Sequence, residues 1–104
     1  MIDCGKGVIG MLDTLIRNAR VVDGTGHAVF TADVGLRDGL IEAVGALGGA
    51  QAFKIIEADG RVLTPGFIDI HRHADAAVLR PGFGAAELCQ GLTTIVNGNC
   101  GLSC

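Results

Sequence analysis

The sequence predicts an α/β-plus-β chain, in which an antiparallel β-meander precedes a single βαβ unit. In the first half, Asp-Gly pairs at 38–39 and 59–60 separate short apolar runs, and such pairs favour tight turns between strands. After Pro65-Gly66 comes a more continuous apolar run at 67–71, typical of a strand buried on both faces of a parallel sheet. A further apolar run at 93–96 follows at the distance of one helical crossover.

The first half divides into short strands bounded by turn residues. Alternating apolar and polar residues, or short apolar runs, predict five of them, at residues 14–22, 32–37, 40–44, 54–58 and 61–63. A meander buries one face and needs another layer over it. Residues 14–64 are therefore predicted to form an incomplete, small β-sandwich-like domain, preceded by a flexible leader at 1–13.

The second half has a different pattern. We expect a strand at 67–71, a short helix at 84–91 with Leu88 and Cys89 on its inner side, and a strand at 93–96. A Gly- and Asn-rich loop at 97–101 closes this second strand. Residues 65–104 are predicted to be a separate α/β segment, with its chemistry at the carboxyl ends of the strands, where α/β folds place their active sites.

Composition narrows the class of protein. The 104 residues are 49% hydrophobic with a formal net charge of -3, which is not the composition of a disordered chain. The eight basic residues are scattered, so neither a nucleic-acid stripe nor a polybasic membrane patch is expected. No apolar run approaches the ~18 residues of a membrane span. With no export signal, the four cysteines are expected to be free thiols and one metal ligand, and not disulfides, in a cytoplasmic protein.

Two histidines end the strand predicted at 67–71. Side chains alternate along a strand, so His71 and His73 are predicted to share a face, whereas Arg72 points the other way. Cys100 follows the next strand. Imidazole nitrogen and thiolate sulfur suit zinc. The alternatives are histidines at a strand end without a metal, a buried apolar thiol at Cys100, and a structural site of four ligands that includes Cys104.

The order of these motifs resembles a known family. The chain has a β-meander, then Pro-Gly-Phe-Ile-Asp at 65–69, His-x-His, Gly-Leu-Thr-Thr at 91–94 and Gly-Asn-Cys-Gly at 98–101. This order is similar to the start of the amidohydrolase superfamily of metal-dependent hydrolases. The Gly-Asn-Cys-Gly loop resembles its D-aminoacylase branch, the N-acyl-D-amino-acid deacylases. The resemblance runs from about residue 14 to residue 103.

The resemblance implies a fold and a ligand set. It implies that His71, His73 and Cys100 bind one or two Zn²⁺ ions, with Asp75 and Asn99 as possible substrate-contacting or supporting residues. It implies that residues 65–104 begin a (β/α)₈ barrel, which takes about 250 residues. The remaining ligands and the catalytic general-base Asp are then expected beyond residue 104. The small β domain is expected to need strands from the far end of the chain.

Three functions stay open at this point. The first is the amino-terminal portion of a zinc-dependent hydrolase that cleaves the linear amide of a small N-acyl-D-amino acid by metal-activated water. The second is another amidohydrolase, either a cyclic-amide hydrolase or a deaminase. The third is a catalytically dead metal-binding fragment. In each case the 104-residue chain alone is expected to be inactive, because the remainder of the enzyme is needed to complete the fold and cover its unpaired edges.

Overall fold

The computed structural model describes residues 10–101. Most of the predicted leader lies outside these residues, and so do Cys4 and Cys104. The four-ligand site that includes Cys104 therefore also lies outside the described residues. The chain divides into two compact units between Pro65 and Gly66. Each unit is described by itself.

The first unit is a five-stranded mixed β-sheet. Its order is β3-β2-β1-β4, and β5 also pairs with β1. The strands are β1 (Leu12–Val21), β2 (Phe30–Arg37), β3 (Leu40–Gly45), β4 (Ala52–Glu57) and β5 (Val62–Leu63). Strand β1 thus lies at the centre of the unit, antiparallel to β2 and parallel to β4 and β5.

The predicted antiparallel meander is wrong for its last two strands. Strands β1 to β3 follow one another antiparallel, but β4 and β5 return to the other side of β1 and pair with it in parallel. The connection that carries the chain across contains Leu47, which is buried with Leu12, Leu15 and Ala43. The segment 45–52, which connects β3 to β4, therefore contributes to the core.

Small and branched apolar residues build the interior of this unit. One buried cluster joins β1 to β2, and Ala58 lies in it; its members are Ala19, Val21, Ala32, Val34 and Ala58. The second cluster contains the fully buried Leu12 and Leu15. Both clusters include residues of β1, so this strand organises the apolar packing of the unit.

The Asp-Gly turns have the predicted backbone conformation. Asp38 and Gly39 have φ values of 51° and 76°, and Asp59 and Gly60 have values of 50° and 75°. Two successive positive φ angles are what a tight hairpin turn requires. The pair at 38–39 does close a hairpin, between β2 and β3. The pair at 59–60 instead connects two strands that both lie beside β1.

Most predicted strands are found within two residues of their expected bounds. Strand β1 begins at Leu12, so residues 12 and 13, assigned to the leader from sequence, belong to the sheet. Strand β6 is shorter than predicted: it covers Phe67–Asp69 and ends before either histidine. Helix α1 covers Ala85–Cys89.

The second unit is a small βαβ arrangement. Strand β6 pairs in parallel with β7 (Leu92–Ile95), and α1 lies between them in the chain. Helix α1 has no buried residue, and both Leu88 and Cys89 are exposed. The expectation that these two side chains face inward is therefore wrong for the residues described, since the helix is too short to cover the strands.

Both outer strands of the first sheet carry exposed apolar side chains. Within residues 10–101, β3 pairs only with β2 and β4 pairs in the sheet only with β1. Leu40 and Ile41 on β3 and Phe53 on β4 are about 70% exposed or more. In the part of the chain described, no helix has the length and apolar character needed to cross a membrane.

Candidate metal centre

The two histidines of the His-x-His motif follow the end of β6. The strand stops at Asp69, so His71 and His73 lie in the loop after it, and alternation along a strand does not align them. The turn is fixed locally because the Asp69 carboxylate accepts a hydrogen bond of 3.1 Å from the backbone N–H of His71. The two imidazole rings nevertheless lie together, with centroids 5.2 Å apart and planes inclined by 70°.

Cys100 reaches the same place from the loop after β7. Its backbone has φ 57° and ψ 24°, which is the left-handed region. Four non-glycine residues between 10 and 101 have positive φ; the other three are Asn18, Asp38 and Asp59, and Asn and Asp tolerate this conformation better than other residues. Cys100 is thus held in a conformation that its residue type does not favour, as often happens at functional sites.

The three candidate ligands converge. One donor atom each from His71, His73 and Cys100 lies within 4.8 Å of the others. Cys100 Sγ is 3.6 Å from His71 Nε2. With zinc bonds of about 2.0–2.1 Å to nitrogen and about 2.3 Å to sulfur, tetrahedral geometry places two such ligand atoms about 3.6 Å apart. The donor set suits zinc, and the separation of the Cys100 sulfur from His71 Nε2 matches the separation of two ligands of one zinc ion.

The candidate site is accessible to solvent. All three candidate ligands are exposed, and Cys89 and Cys100 are free thiols. Three protein ligands with solvent access are characteristic of catalytic zinc sites, whereas structural sites are closed by four.

Asp75 and Asn99, the two candidate supporting residues, lie between the loops and outside the group of three. The Asp75 carboxylate accepts a hydrogen bond of 3.0 Å from the Gly98 N–H. The Asn99 side-chain amide donates to the Arg72 carbonyl at 3.3 Å and to the Val96 carbonyl at 2.8 Å. Both side chains therefore bind backbone groups that lie next to the ligands.

Sequence reasoning missed Asn97. Its side-chain carbonyl accepts a hydrogen bond of 3.3 Å from the Ala74 N–H, across 23 residues of chain. The available signal was its place directly after a predicted strand, in a segment that returns to the metal ligands. The segment is predicted to be a loop, and Asn and Gly are ordinary loop and turn residues, so their presence alone assigns no role to Asn97.

Arg72 pairs with two acidic side chains of the same unit. Its guanidinium forms an ion pair with Glu87 on α1 and a second, at 3.7 Å, with Asp69. Glu87 is mostly buried, with 16% of its side chain exposed. The residue between the two histidines thus ties the end of β6 to the helix.

The chain is similar to a known protein family and to several known proteins. The model for the urease alpha-subunit N-terminal domain matches residues 4–64, more than half of the chain. N-acyl-D-glutamate deacylase of Alcaligenes xylosoxydans xylosoxydans is 44% identical over 88% of this chain and 19% of its own length. Adenine deaminase of Deinococcus deserti is 42% identical over 81% of this chain and 15% of its own length.

A solved structure is also similar to this chain. The crystal structure of N-acyl-D-glutamate deacylase from Bordetella bronchiseptica, complexed with zinc and a phosphonate inhibitor, superimposes with a TM-score of 0.83 and 42% identity. The match covers 88% of this chain and 19% of that one.

The chain belongs to the amidohydrolase superfamily. Within it, the deacylase matches agree with the resemblance to the D-aminoacylase branch that the motifs indicated. The chain spans about a fifth of the length of the deacylases it matches.

Proposed function

We propose that this chain supplies the first metal ligands of a zinc-dependent hydrolase that cleaves the linear amide of N-acyl-D-amino acids. The observation that carries the proposal is the convergence of His71, His73 and Cys100 within 4.8 Å. Support comes from relatives that are deacylases of N-acyl-D-glutamate, one of them a zinc complex. The number of ions, one or two, is left open by these residues.

Each residue has a defined part in this proposal. His71 and His73 bind zinc as neutral imidazoles, and Cys100 binds as thiolate. A zinc ion held by these residues would lower the pKa of bound water toward about 7 and would polarise a carbonyl oxygen. The exposed side of the three ligands leaves room for water and for the amide of a small substrate.

The proposal extends to the architecture of the whole protein. The parallel β6–β7 pair is proposed to begin a (β/α)₈ barrel at residues 65–104, and residues 14–64 to form part of a small β-sandwich domain. A carboxylate outside residues 1–104 would take the proton of the attacking water and pass it to the leaving amine. The 104-residue chain by itself is therefore expected to be inactive.

A deaminase is the second candidate. It is favoured by the adenine deaminase that is 42% identical over most of this chain. Both reactions hydrolyse a bond between carbon and nitrogen, and both use a polarised electrophile and an activated water. The residues described here hold the metal and do not select between an amide and a purine.

Substrate assays on the whole zinc-loaded protein separate these candidates. The panel consists of N-acetyl-D-glutamate, N-acetyl-D-leucine, their L enantiomers and adenine. We expect free amino acid from at least one D substrate and little from its mirror image. Release of ammonia from adenine alone would establish the deaminase. A protein that binds zinc tightly but hydrolyses none of the panel would overturn both assignments and favour a metal-binding role without catalysis.

A further inference from the structure

The two loops that carry the metal ligands are joined by side-chain hydrogen bonds. Asn97 accepts from the Ala74 N–H, Asp75 accepts from the Gly98 N–H, and Asn99 donates to the Arg72 carbonyl. Each bond links the loop after β6 to the loop after β7, across 23 to 27 residues. One backbone bond, from Arg72 N–H to the Val96 carbonyl at 3.1 Å, reinforces them.

Asn99 occupies a special place among these residues. It directly precedes Cys100, and the carbonyl that it reaches across the gap belongs to Arg72, the residue between the two histidines. The same Nδ2 atom also donates to Val96, at the end of its own strand. The Nδ2 atom of Asn99 therefore links the loop that carries Cys100 to two backbone carbonyls. One belongs to Val96, directly after β7, and the other to Arg72, between the two histidines.

We propose that Asn99 is a positioning residue that sets the distance between the Cys100 sulfur and the two imidazoles. The inference rests on the proposed metal site, and it assigns to Asn99 a role toward the ligands and none toward the substrate. Its amide anchors the loop where Cys100 takes up its left-handed conformation. Without this anchor, Cys100 can relax toward ordinary backbone angles and carry its sulfur away from His71.

The chemistry requires an amide at this position. Both partners of the Asn99 side chain are carbonyl oxygens, so the group between them must donate two hydrogen bonds, and a primary amide nitrogen has two hydrogens. An aspartate has nearly the same shape but only accepts hydrogen bonds. Asn99→Asp would therefore place negative charge against two carbonyl oxygens and lose both contacts.

The test compares Asn99→Asp and Asn99→Ala with a matched control in the whole protein. The control is Gln90→Ala, which removes another side-chain amide that donates to a backbone carbonyl, at 3.1 Å within the helical segment. Zinc affinity is measured by competition with a chelator. The cobalt-substituted protein reports the sulfur directly, through its thiolate-to-cobalt charge-transfer band, and thermal unfolding of the metal-free protein reports stability.

We expect both Asn99 variants to bind zinc roughly 10- to 100-fold more weakly, the usual cost of losing a residue that orients a metal ligand. The cobalt band should weaken or shift, and Gln90→Ala should match the wild type. Wild-type zinc affinity and an unchanged band in both Asn99 variants would overturn the proposal. A lower unfolding temperature with an unchanged band would overturn it too, because Asn99 would then support only the fold.

The experiments distinguish failure of the positioning role of Asn99 from failure of the proposed function. If the wild-type protein binds cobalt through Cys100 but hydrolyses no N-acyl-D-amino acid, the substrate assignment fails and the Asn99 comparison remains valid. If the Asn99 variants keep wild-type zinc affinity while the wild type hydrolyses the D substrate, the function stands and the positioning role is excluded.

Discussion

Different interactions stabilise the interior of each of the two units. In residues 10–65, nine apolar side chains are buried, and Leu12 and Leu15 are completely inaccessible. In residues 66–101, Ala74 is the only buried apolar side chain. Polar side chains bind backbone groups in both units, but in the second unit they do so almost without an apolar core. The first unit is thus organised mainly by apolar packing around β1, and the second by hydrogen bonds and ion pairs around two loops.

The difference indicates where the sequence serves stability and where it serves chemistry. Apolar packing contributes free energy in proportion to the area removed from water and depends little on direction. A metal site needs fixed directions, which hydrogen bonds supply. We therefore expect substitutions in the first unit to change mainly stability, and substitutions in the loops of the second to change mainly metal binding.

The largest stability effect is expected at the centre of the first unit. Leu15→Ala removes a fully buried side chain from β1 and should cost about 2–5 kcal/mol. Amide hydrogen exchange across β1 in the whole protein measures this loss. Leu79→Ala, at a position 89% exposed in the second unit, is the matched control and should change little. Equal effects of the two substitutions would contradict the contrast between the units.

The next effect tests whether close packing exists in the second unit. Gly66 lies against Thr93, and a Cβ added at Gly66 would be 2.7 Å from Thr93 Cβ and still closer to its Oγ1 and Cγ2. Gly66→Ala should therefore cost about 1–3 kcal/mol by overpacking, measured by exchange of the β6 and β7 amides.

Two variants sharpen this test. Because the Thr93 Cβ itself is too close, Thr93→Ala should not rescue Gly66→Ala, whereas Thr93→Gly should restore much of the lost protection. Gly48→Ala, where nothing lies within 4 Å of the added carbon, is the control. A harmless Gly66→Ala would show that the two strands tolerate a wider separation.

A smaller effect is expected from the backbone of Cys100. In the metal-free protein, Cys100→Gly should be more stable than Cys100→Ala by about 1 kcal/mol, because glycine adopts positive φ without steric cost. At Cys89, within α1, the order should reverse, since glycine costs about 1 kcal/mol relative to alanine in a helix. Thermal unfolding of the four variants gives both differences. The same order at both positions would remove the argument for strain at Cys100.

The smallest effect lies in the exposed turn of the first unit. Hydrogen bonds from the Thr25 hydroxyl and then from its backbone N–H hold the pKa of Asp23 below its usual value of 3.8. The folded state therefore favours the carboxylate, and this contribution to stability is present above the unfolded pKa and lost as the pH falls through the lower folded pKa. Carboxyl NMR titration should show a midpoint below 3.8 that rises in Thr25→Ala. An unchanged midpoint in that variant would assign the shift to another cause.

Local sequence signals predicted the positions of the strands in the first unit better than they predicted which strands pair with each other. Positive φ at Asp38 and Gly39 follows from the preference of Asp-Gly for such turns, and that hairpin is confirmed. The parallel pairing of β4 with β1 was missed because short connections usually join antiparallel neighbours. Leu47 was the available signal that the segment between β3 and β4 packs against the sheet. It is a large apolar residue in a Gly-rich segment, and it enters the core.

In the second unit, the residue types indicated three candidate ligands that the structure does bring together, but the reason given for their convergence was wrong. Strand β6 ends before His71, so alternation along a strand does not explain why the two imidazoles meet. The loop geometry depends on Asp69, Asn97 and Asn99, whose partners are backbone groups. Backbone partners far apart in the chain carry no residue-type signal, and for that reason the sequence alone did not reveal these contacts.

X-ray absorption at the zinc edge of the whole protein tests the central claim most directly. We expect one sulfur at about 2.3 Å and nitrogen or oxygen neighbours at about 2.0–2.1 Å, with the sulfur absent in Cys100→Ala. A zinc shell of nitrogen and oxygen only in the wild-type protein would contradict it, because His71, His73 and Cys100 would then not share one ion.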